Sequence, residues 1–421
     1  MEPLKNEPSN GIIRSENSIL PFRENMLKAP KWRCSVDESG KNILLMGATG
    51  SIGRTTLNLL RANGNRFHLF AISAHENWDH ALSIAREFHV PYIIPMGPVP
   101  DGLSLPPNCL LSNAASVIFH PHLHTVVIAT AGISALRILL MAMEAKKHIL
   151  LANKESVVAG GKMISAAAKR FSSKIFPVDS EHHAIFQCIM GDGYATFTKK
   201  SDLKSVTLTA SGGPFIDFSR EELECVSAAD AIRHPLWTMG KKISVDSATM
   251  ANKGLEIIEA SHLFALDGSE INVLVHRQGI VHCMVEFSDG TVLCQMHPPS
   301  MEFPIAHGLA HPERLTPPCP PLSPNDYAHL SFALPNREQF PCLRIAEHAL
   351  QVQKSCPCDF NAANEMTVEA FLAGRIHFTQ IAEIIGDLLE KANAIELPSV
   401  DAVEDRHFYI RQLTDELIRQ A

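Results

Sequence analysis

The sequence predicts an α/β protein in three parts: an N-terminal parallel sheet, a central α+β region and a C-terminal helical bundle. Three observations carry this expectation. From Lys41, short runs that are apolar throughout alternate with helical stretches, the pattern of a parallel sheet covered on both faces. Farther on, candidate strands at 279–287 and 292–296 are joined at Ser288-Asp289-Gly290, a hairpin signal. Beyond a proline-rich stretch, four amphipathic segments follow one another, and a small bundle is their natural packing.

In chain order, residues 1–40 lack hydrophobic periodicity and mix both charges. They are expected to form a flexible extension, because a transit peptide should be poor in acids. Organellar targeting by this segment stays open, and Met26 offers an alternative start. The nucleotide-binding domain is expected over 41–178, with strands near 42–46, 67–73, 92–95, 125–129 and 148–152. Its helices fall at 54–62, stopped by Gly64, and at 78–88 and 134–145. A catalytic and connective domain should occupy 179–310, with further strands at 206–209 and 273–275, and a linker 311–341. The bundle over 342–421 is expected to hold helices at 342–354, 361–372, 378–392 and 400–419.

With 421 residues, 46% hydrophobic and 19% charged, the chain has the makeup of a soluble globular protein. A formal net charge of −8 argues against nucleic acid as a main partner. The most apolar stretch, 125–145, contains Gly132 and Arg137 and reads as a buried strand and helix, so no membrane association is expected. No secretory signal is seen, and the ten cysteines include no Cys-x-x-Cys pair. Cys356-Pro-Cys358 has the wrong spacing for zinc, and reduced thiols in a cytoplasmic protein are expected.

Gly47-Ala48-Thr49-Gly50-Ser51-Ile52-Gly53 follows a strand and opens a helix, a Rossmann-like context. Glycines let the backbone turn tightly beside a pyrophosphate, and the helix start supplies N–H donors. The end of the second strand, where NAD and NADP are normally told apart, reads His75-Glu76-Asn77. His75 and Asn77 could meet a 2′-phosphate, whereas Glu76 could accept from a free ribose hydroxyl.

Asp179 and Glu181 flank Ser180 just beyond an apolar run. Read as a strand end, the two acids point the same way. At about 4 Å and an effective dielectric near 20 they repel by roughly 4 kcal/mol, which a hard cation such as Mg²⁺ or Mn²⁺ would remove. In a helix starting near Ala248, Asn252, Glu256 and Glu259 fall on one stripe, with Lys253 beside it. Ser211-Gly212-Gly213 places a hydroxyl on a glycine loop suited to phosphate, and from there to Lys241 His234, Trp237, Met239 and Gly240 read as part of a closing lid. Asn153-Lys154-Glu155 sits at a strand end, where ligands of open α/β sheets gather.

Together these blocks, with Asn361-Ala-Ala-Asn364-Glu365, resemble the 1-deoxy-D-xylulose 5-phosphate reductoisomerase family from Lys41 to about Arg375. The resemblance implies conversion of 1-deoxy-D-xylulose 5-phosphate to 2-C-methyl-D-erythritol 4-phosphate, with NADPH and one Mg²⁺ or Mn²⁺, by a V-shaped subunit in a homodimer. It implies Asp179, Glu181 and Glu256 as metal ligands, and with Lys154 and His234 as the catalytic set. Ser180, Ser211, Trp237, Ser247, Asn252 and Lys253 would hold the phosphosugar, and Met239 would belong to the lid. Gly47, Thr49, Gly50, Ser51, Ile52 and Gly53 would face the NADPH pyrophosphate, with Asn77, Asn153, Glu155 and Gly240 as further cofactor candidates. The chain departs from the family pattern at His75-Glu76, where Lys or Arg is frequent, and at His183 and Leu236, where Asn is common. Gly279 replaces a usual Ser, and Ser300-Met301-Glu302 a usual Asp-Met-Arg. Two other readings compete: a metal-free semialdehyde or homoserine-type dehydrogenase, whose activity would survive EDTA, and a non-catalytic NADP-sensing protein, which would oxidise no NADPH.

Overall fold

The computed structural model describes residues 40–189 and 201–420. The expected N-terminal extension therefore lies outside the described residues, apart from Gly40. The first part alternates as expected: β1 (Lys41–Met46), α1 (Ser51–Ala62), β2 (Phe67–Ala74), α2 (Trp78–Glu87), β3 (Tyr92–Pro95), β4 (Leu110–Leu111), α3 (Ala114–Ile118), β5 (Thr125–Ile128), α4 (Ala135–Glu144), β6 (His148–Leu151), α5 (Lys154–Phe171) and β7 (Ile175–Pro177). The seven strands form one sheet in the order β4-β3-β2-β1-β5-β6-β7, every neighbouring pair parallel. Ile43, Leu44, Leu45, Val126, Val127 and Ile128 are completely buried, which explains why these strands carry no polar face. The strand order steps outward in both directions from β1 and β5. Ligands bind at such a switch point, outside the carboxyl ends of the strands.

The central part runs α6 (Ser180–Ile189), β8 (Leu203–Ala210), α7 (Arg220–Glu224), α8 (Ala228–Ala231), α9 (Lys241–Ala248), α10 (Ala251–Phe264), β9 (Ile271–Val275), β10 (Val281–Phe287), β11 (Val292–Met296) and α11 (Glu302–Ala310). Its sheet has the order β11-β10-β8-β9. β10 is antiparallel to both neighbours, and β8 is parallel to β9. The anticipated β10–β11 hairpin is present. Four helices close the chain: α12 (Pro341–Val352), α13 (Cys356–Leu372), α14 (Phe378–Lys391) and α15 (Val400–Gln420). α13 begins five residues before the expected position 361, because Pro357 is favourable in a first helical turn.

Two local expectations need correction. The segment holding Asp179 and Glu181 is not a strand end: β7 stops at Pro177 and α6 starts at Ser180. Asp179 starts this helix, its carbonyl accepting from His183 N at 2.8 Å and its Oδ1 from Glu181 N at 3.3 Å. The helix expected to run on from Ala248 is divided, with Met250 in the left-handed region (φ 62°) between α9 and α10. The stripe of Asn252, Glu256 and Glu259 survives on α10 alone.

Candidate active site

Three chain segments meet at one cavity of about 210 Å³. β6 and the start of α5 bring Lys154, the β7–α6 junction brings Asp179, Ser180 and Glu181, and α10 brings Asn252, Lys253, Glu256 and Glu259. Asp179, Glu181 and Glu256 each offer an oxygen, and these oxygens lie within 4.8 Å of one another. Two ammonium groups hold them. Lys154 Nζ lies 2.8 Å from Asp179 Oδ2 and 2.9 Å from Glu256 Oε1, and donates to Asn252 Oδ1 at 2.8 Å. Lys253 Nζ reaches Glu181 Oε1 at 2.7 Å and also bonds Glu256 Oε2.

A second group, which the sequence did not disclose, joins Asp179, His182 and Glu259. Both nitrogens of the buried His182 face acceptors: Nδ1 lies 3.0 Å from Asp179 Oδ1, and Nε2 lies 3.0 Å from the Glu256 carbonyl. The ring therefore carries two protons. Against the cost of burial, Glu259 and Asp179 hold its pKa up at about 9.

Four acids, Asp179, Glu181, Glu256 and Glu259, thus face three cations, Lys154, Lys253 and His182. Burial first, and the charge of Glu256 next, push Glu181 up to about 7. Burial likewise pushes Glu259 to about 7, and its Oε2 is buried without a hydrogen-bond partner. The site is short of positive charge, and its donors are hard oxygens. That is a set a divalent cation fits.

The far wall of the cavity is polar and small. His234 Nδ1 accepts from Leu236 N (3.1 Å) and Trp237 N (2.9 Å), so the proton sits on Nε2. Nε2 lies 2.9 Å from Ser211 Oγ and 3.1 Å from Ser247 Oγ. Burial lowers the His234 pKa to about 4, which keeps the ring neutral. The single Nε2 proton is shared between the two hydroxyl oxygens, which leaves their own protons free for an anion. Trp237, Met239 and Gly240 line the same wall.

The start of α1 also opens on this cavity through Ser51 and Ile52. Its N-cap, Gly50, makes no side-chain cap hydrogen bond, so the first N–H groups have no side-chain acceptor there. A Cβ on Gly53 would lie 2.3 Å from the Gly47 carbonyl oxygen, so the turn needs glycine for close approach. These features fit a dinucleotide pyrophosphate.

Several candidates stand elsewhere. Gly47, Thr49, Gly50 and Gly53 build the turn without lining the cavity. Asn77 caps α2, accepting from His80 N at 3.2 Å. Asn153 is buried and committed to backbone, donating to the Thr130 and Gly132 carbonyls at 2.8 and 3.0 Å and accepting from Ser156 N. Glu155 accepts from Asn153 and lies 3.6 Å from Lys242 Nζ. Lys242 in turn meets Asp246 at 2.8 Å, and Asn364 of α13 donates to Asp246 at 2.8 Å. That link from the C-terminal bundle steadies α9, which carries Ser247. Exposed His75 and Glu76 lie 3.7 Å apart at the end of β2. Thr238, Ile243, Met250 and Met301 line the cavity although sequence reasoning passed over them as lining residues. A Cβ at position 279, where φ is +61°, would come within 2.6 Å of Leu236 Cδ1.

The chain matches the profile of 1-deoxy-D-xylulose 5-phosphate reductoisomerase over residues 43–98 and 107–161. Two profiles of the C-terminal domain of that enzyme match residues 175–264 and 296–413. The chain is 40% identical to 1-deoxy-D-xylulose 5-phosphate reductoisomerase of Bacillus cereus (strain Q1), over 89% of this chain and 100% of that protein. It is 39% identical to the enzyme of Pseudomonas putida (strain W619), over 90% and 98%. Among solved structures, a DOX-P reductoisomerase in complex with NADPH, fosmidomycin and magnesium superposes with a TM-score of 0.80 at 34% identity, covering 90% of this chain and 98% of that one. The Zymomonas mobilis enzyme in complex with NADPH gives 0.81 at 32%, covering 91% and 100%. The chain belongs to the 1-deoxy-D-xylulose 5-phosphate reductoisomerase family.

Proposed function

We propose that the protein converts 1-deoxy-D-xylulose 5-phosphate to 2-C-methyl-D-erythritol 4-phosphate by skeletal rearrangement and NADPH-dependent reduction, in isoprenoid precursor synthesis. The observation that carries this reading is a single cavity faced by three carboxylates, two serine hydroxyls and the open start of α1. A divalent cation, Mg²⁺ or Mn²⁺, held by Asp179, Glu181 and Glu256 would supply Lewis-acid stabilisation of oxyanion charge, and NADPH would supply the hydride. The chain's own residues do the rest. Lys154, whose three ammonium protons face Asp179, Glu256 and Asn252, turns one of them from these partners to a substrate oxygen. Lys253, Asn252 and Ser180 orient the sugar hydroxyls. Ser211 and Ser247 donate to the phosphate, and Trp237 and Met239 exclude water when the lid closes.

Ser211→Ala removes one of these donors. The expected result is a rise in KM of about 10- to 150-fold with little change in kcat, as for a charge-assisted hydrogen bond of roughly 1.5–3 kcal/mol; an unchanged KM would remove Ser211 from the phosphate site. Gly53→Ala forces a Cβ into backbone. It should cost about 1–3 kcal/mol of stability and weaken NADPH binding in a fluorescence titration, and unaltered binding would contradict the pyrophosphate placement.

A homodimer is part of this reading. It is supported by β11, an edge strand with exposed Val292, Leu293 and Met296. A cytoplasmic location is supported by the nine free cysteines among the described residues. No helix among the described residues is long and apolar enough to cross a membrane. The test is NADPH consumption with 1-deoxy-D-xylulose 5-phosphate, with and without Mn²⁺, repeated with NADH. Metal-dependent turnover with NADPH supports the reading. Turnover that survives EDTA favours a metal-free dehydrogenase, and cofactor binding without oxidation favours a sensor.

A further inference from the structure

We propose that Asp179, His182 and Glu259 form a second cation site, selective for Zn²⁺, that competes with the catalytic cation for Asp179. Each offers one ligand atom, and these atoms lie within 4.8 Å of one another. His182 Nδ1 is 3.0 Å from Asp179 Oδ1 and 3.5 Å from Glu259 Oε2. Zn²⁺ takes nitrogen at about 2.0–2.1 Å and carboxylate oxygen at about 2.0–2.2 Å in a tetrahedron, so neighbouring donor atoms stand about 3.4 Å apart. The two distances bracket that edge. Glu259 is 1% exposed, and its Oε2 has no hydrogen-bond partner. A buried carboxylate oxygen in that state calls for a donor or a cation.

The surroundings hold the ring as a zinc ligand is held. His182 Nε2 lies 3.0 Å from the Glu256 carbonyl and donates to it. That outer bond fixes a ligating imidazole and turns its other nitrogen to the metal. The ring also stacks on Phe264, with centroids 6.4 Å apart and 9° between the planes. Asp179 presents Oδ2 to Lys154 at 2.8 Å and keeps Oδ1 toward His182. Asp179 and Glu259 line the substrate cavity, which gives the ion its way in and a water as fourth ligand. An imidazole nitrogen suits Zn²⁺, whereas Mg²⁺ and Mn²⁺ prefer oxygen donors. Those ions find the better set in Asp179, Glu181 and Glu256.

Binding is an exchange of ions. Zn²⁺ takes the lone pair of His182 Nδ1, and the proton carried there leaves to solvent; nothing is oxidised or reduced. Without a divalent ion the four acids exceed the three cations by one charge. Zn²⁺ in place of the Nδ1 proton brings the cluster to neutrality. Filling both sites would leave it two charges positive around one shared carboxylate, so each ion disfavours the other. Zinc binding stands on these three side chains alone. The competition rests on the proposed function, in which Asp179 holds the catalytic cation.

The test uses the full-length protein, freed of metal and given one equivalent of Zn²⁺, and zinc-edge X-ray absorption. One imidazole in the zinc shell is expected. Glu259→Gln should lose that imidazole and pass the ion to oxygen ligands. Glu181→Gln, which alters only the catalytic trio, should keep it. Mn²⁺ binding, read from the loss of the free-ion EPR signal, should weaken at least about tenfold in the zinc-loaded wild type, as for the loss of one ligand. An all-oxygen zinc shell in the wild type, an imidazole that persists in Glu259→Gln, or one that is lost in Glu181→Gln would each overturn the site. Undiminished Mn²⁺ binding beside the zinc–imidazole signal would overturn the competition instead, and with it the place of Asp179 in the catalytic trio.

Discussion

Replacing Glu256 by Gln is expected to cut kcat at least about 100-fold while leaving the protein folded. Glu256 touches both ammonium groups of the site, Lys154 at 2.9 Å and Lys253 through its other oxygen. It is also one of the three acids whose oxygens converge. Gln keeps the shape and removes the charge, so a cation would lose one of three anionic ligands. The fold should survive because neither lysine is stranded. Lys154 keeps Asp179 at 2.8 Å, and Lys253 keeps Glu181 at 2.7 Å. Removing one of four acids also brings them level with the three cations, and it relieves Glu181 of a neighbour that pushes its pKa up. Steady-state kinetics beside thermal unfolding separates the two effects. Wild-type turnover would contradict the ligand assignment, and an unfolded variant would contradict the charge accounting.

The second large effect is acid destabilisation. His282 and His297 are buried and stacked, with ring centroids 3.8 Å apart. Burial lowers both, His297 to about 4 and His282 well below its usual value. In the unfolded chain each takes up a proton near pH 6.5. Between pH 6.5 and 4 the unfolded state therefore binds more protons, and stability falls as pH falls through that window. Each histidine contributes about 1.4 kcal/mol per pH unit, so the two together contribute about 3 kcal/mol per unit. Glu181 and Glu259, raised to about 7 by burial, bind their protons in the folded state over the same window and act in the opposite direction. But His148, His307, His234 and His262, all lowered to about 4 by burial, act with the stacked pair and outnumber them. Denaturant titrations at pH 7, 6 and 5 should show a steep fall below 6.5, less steep by about half of that figure in His297→Asn. Equal stability at pH 7 and 5 would contradict the account.

Much of this site was legible because its motifs are local. The glycines of 47–53 announce a tight turn between β1 and α1, since only that backbone geometry needs them so closely spaced. The acids of 179–181 and the stripe on α10 were legible as chemistry, but the helix that starts at Ser180 was not. An Asp that starts a helix and an Asp that ends a strand look alike when the preceding residues are apolar. The pair His182 and Glu259 was missed for a related reason. Each is an ordinary helix residue by spacing, and only the packing of α6 against α10 aligns them with Asp179. Asn153 looked like a ligand contact because it sits at a strand end. Its position three residues before Ser156 is the signal of the cap it forms. The close approach of Leu236 to Gly279, 43 positions apart in the chain, belongs to tertiary structure and leaves no trace in any window of sequence.

Direct titration with Mn²⁺, followed by calorimetry, tests the convergence of the three acids. One Mn²⁺ per chain is expected, with affinity at least about tenfold weaker in each of Asp179→Asn, Glu181→Gln and Glu256→Gln. Unchanged Mn²⁺ affinity in all three variants would mean that these carboxylates do not share a cation.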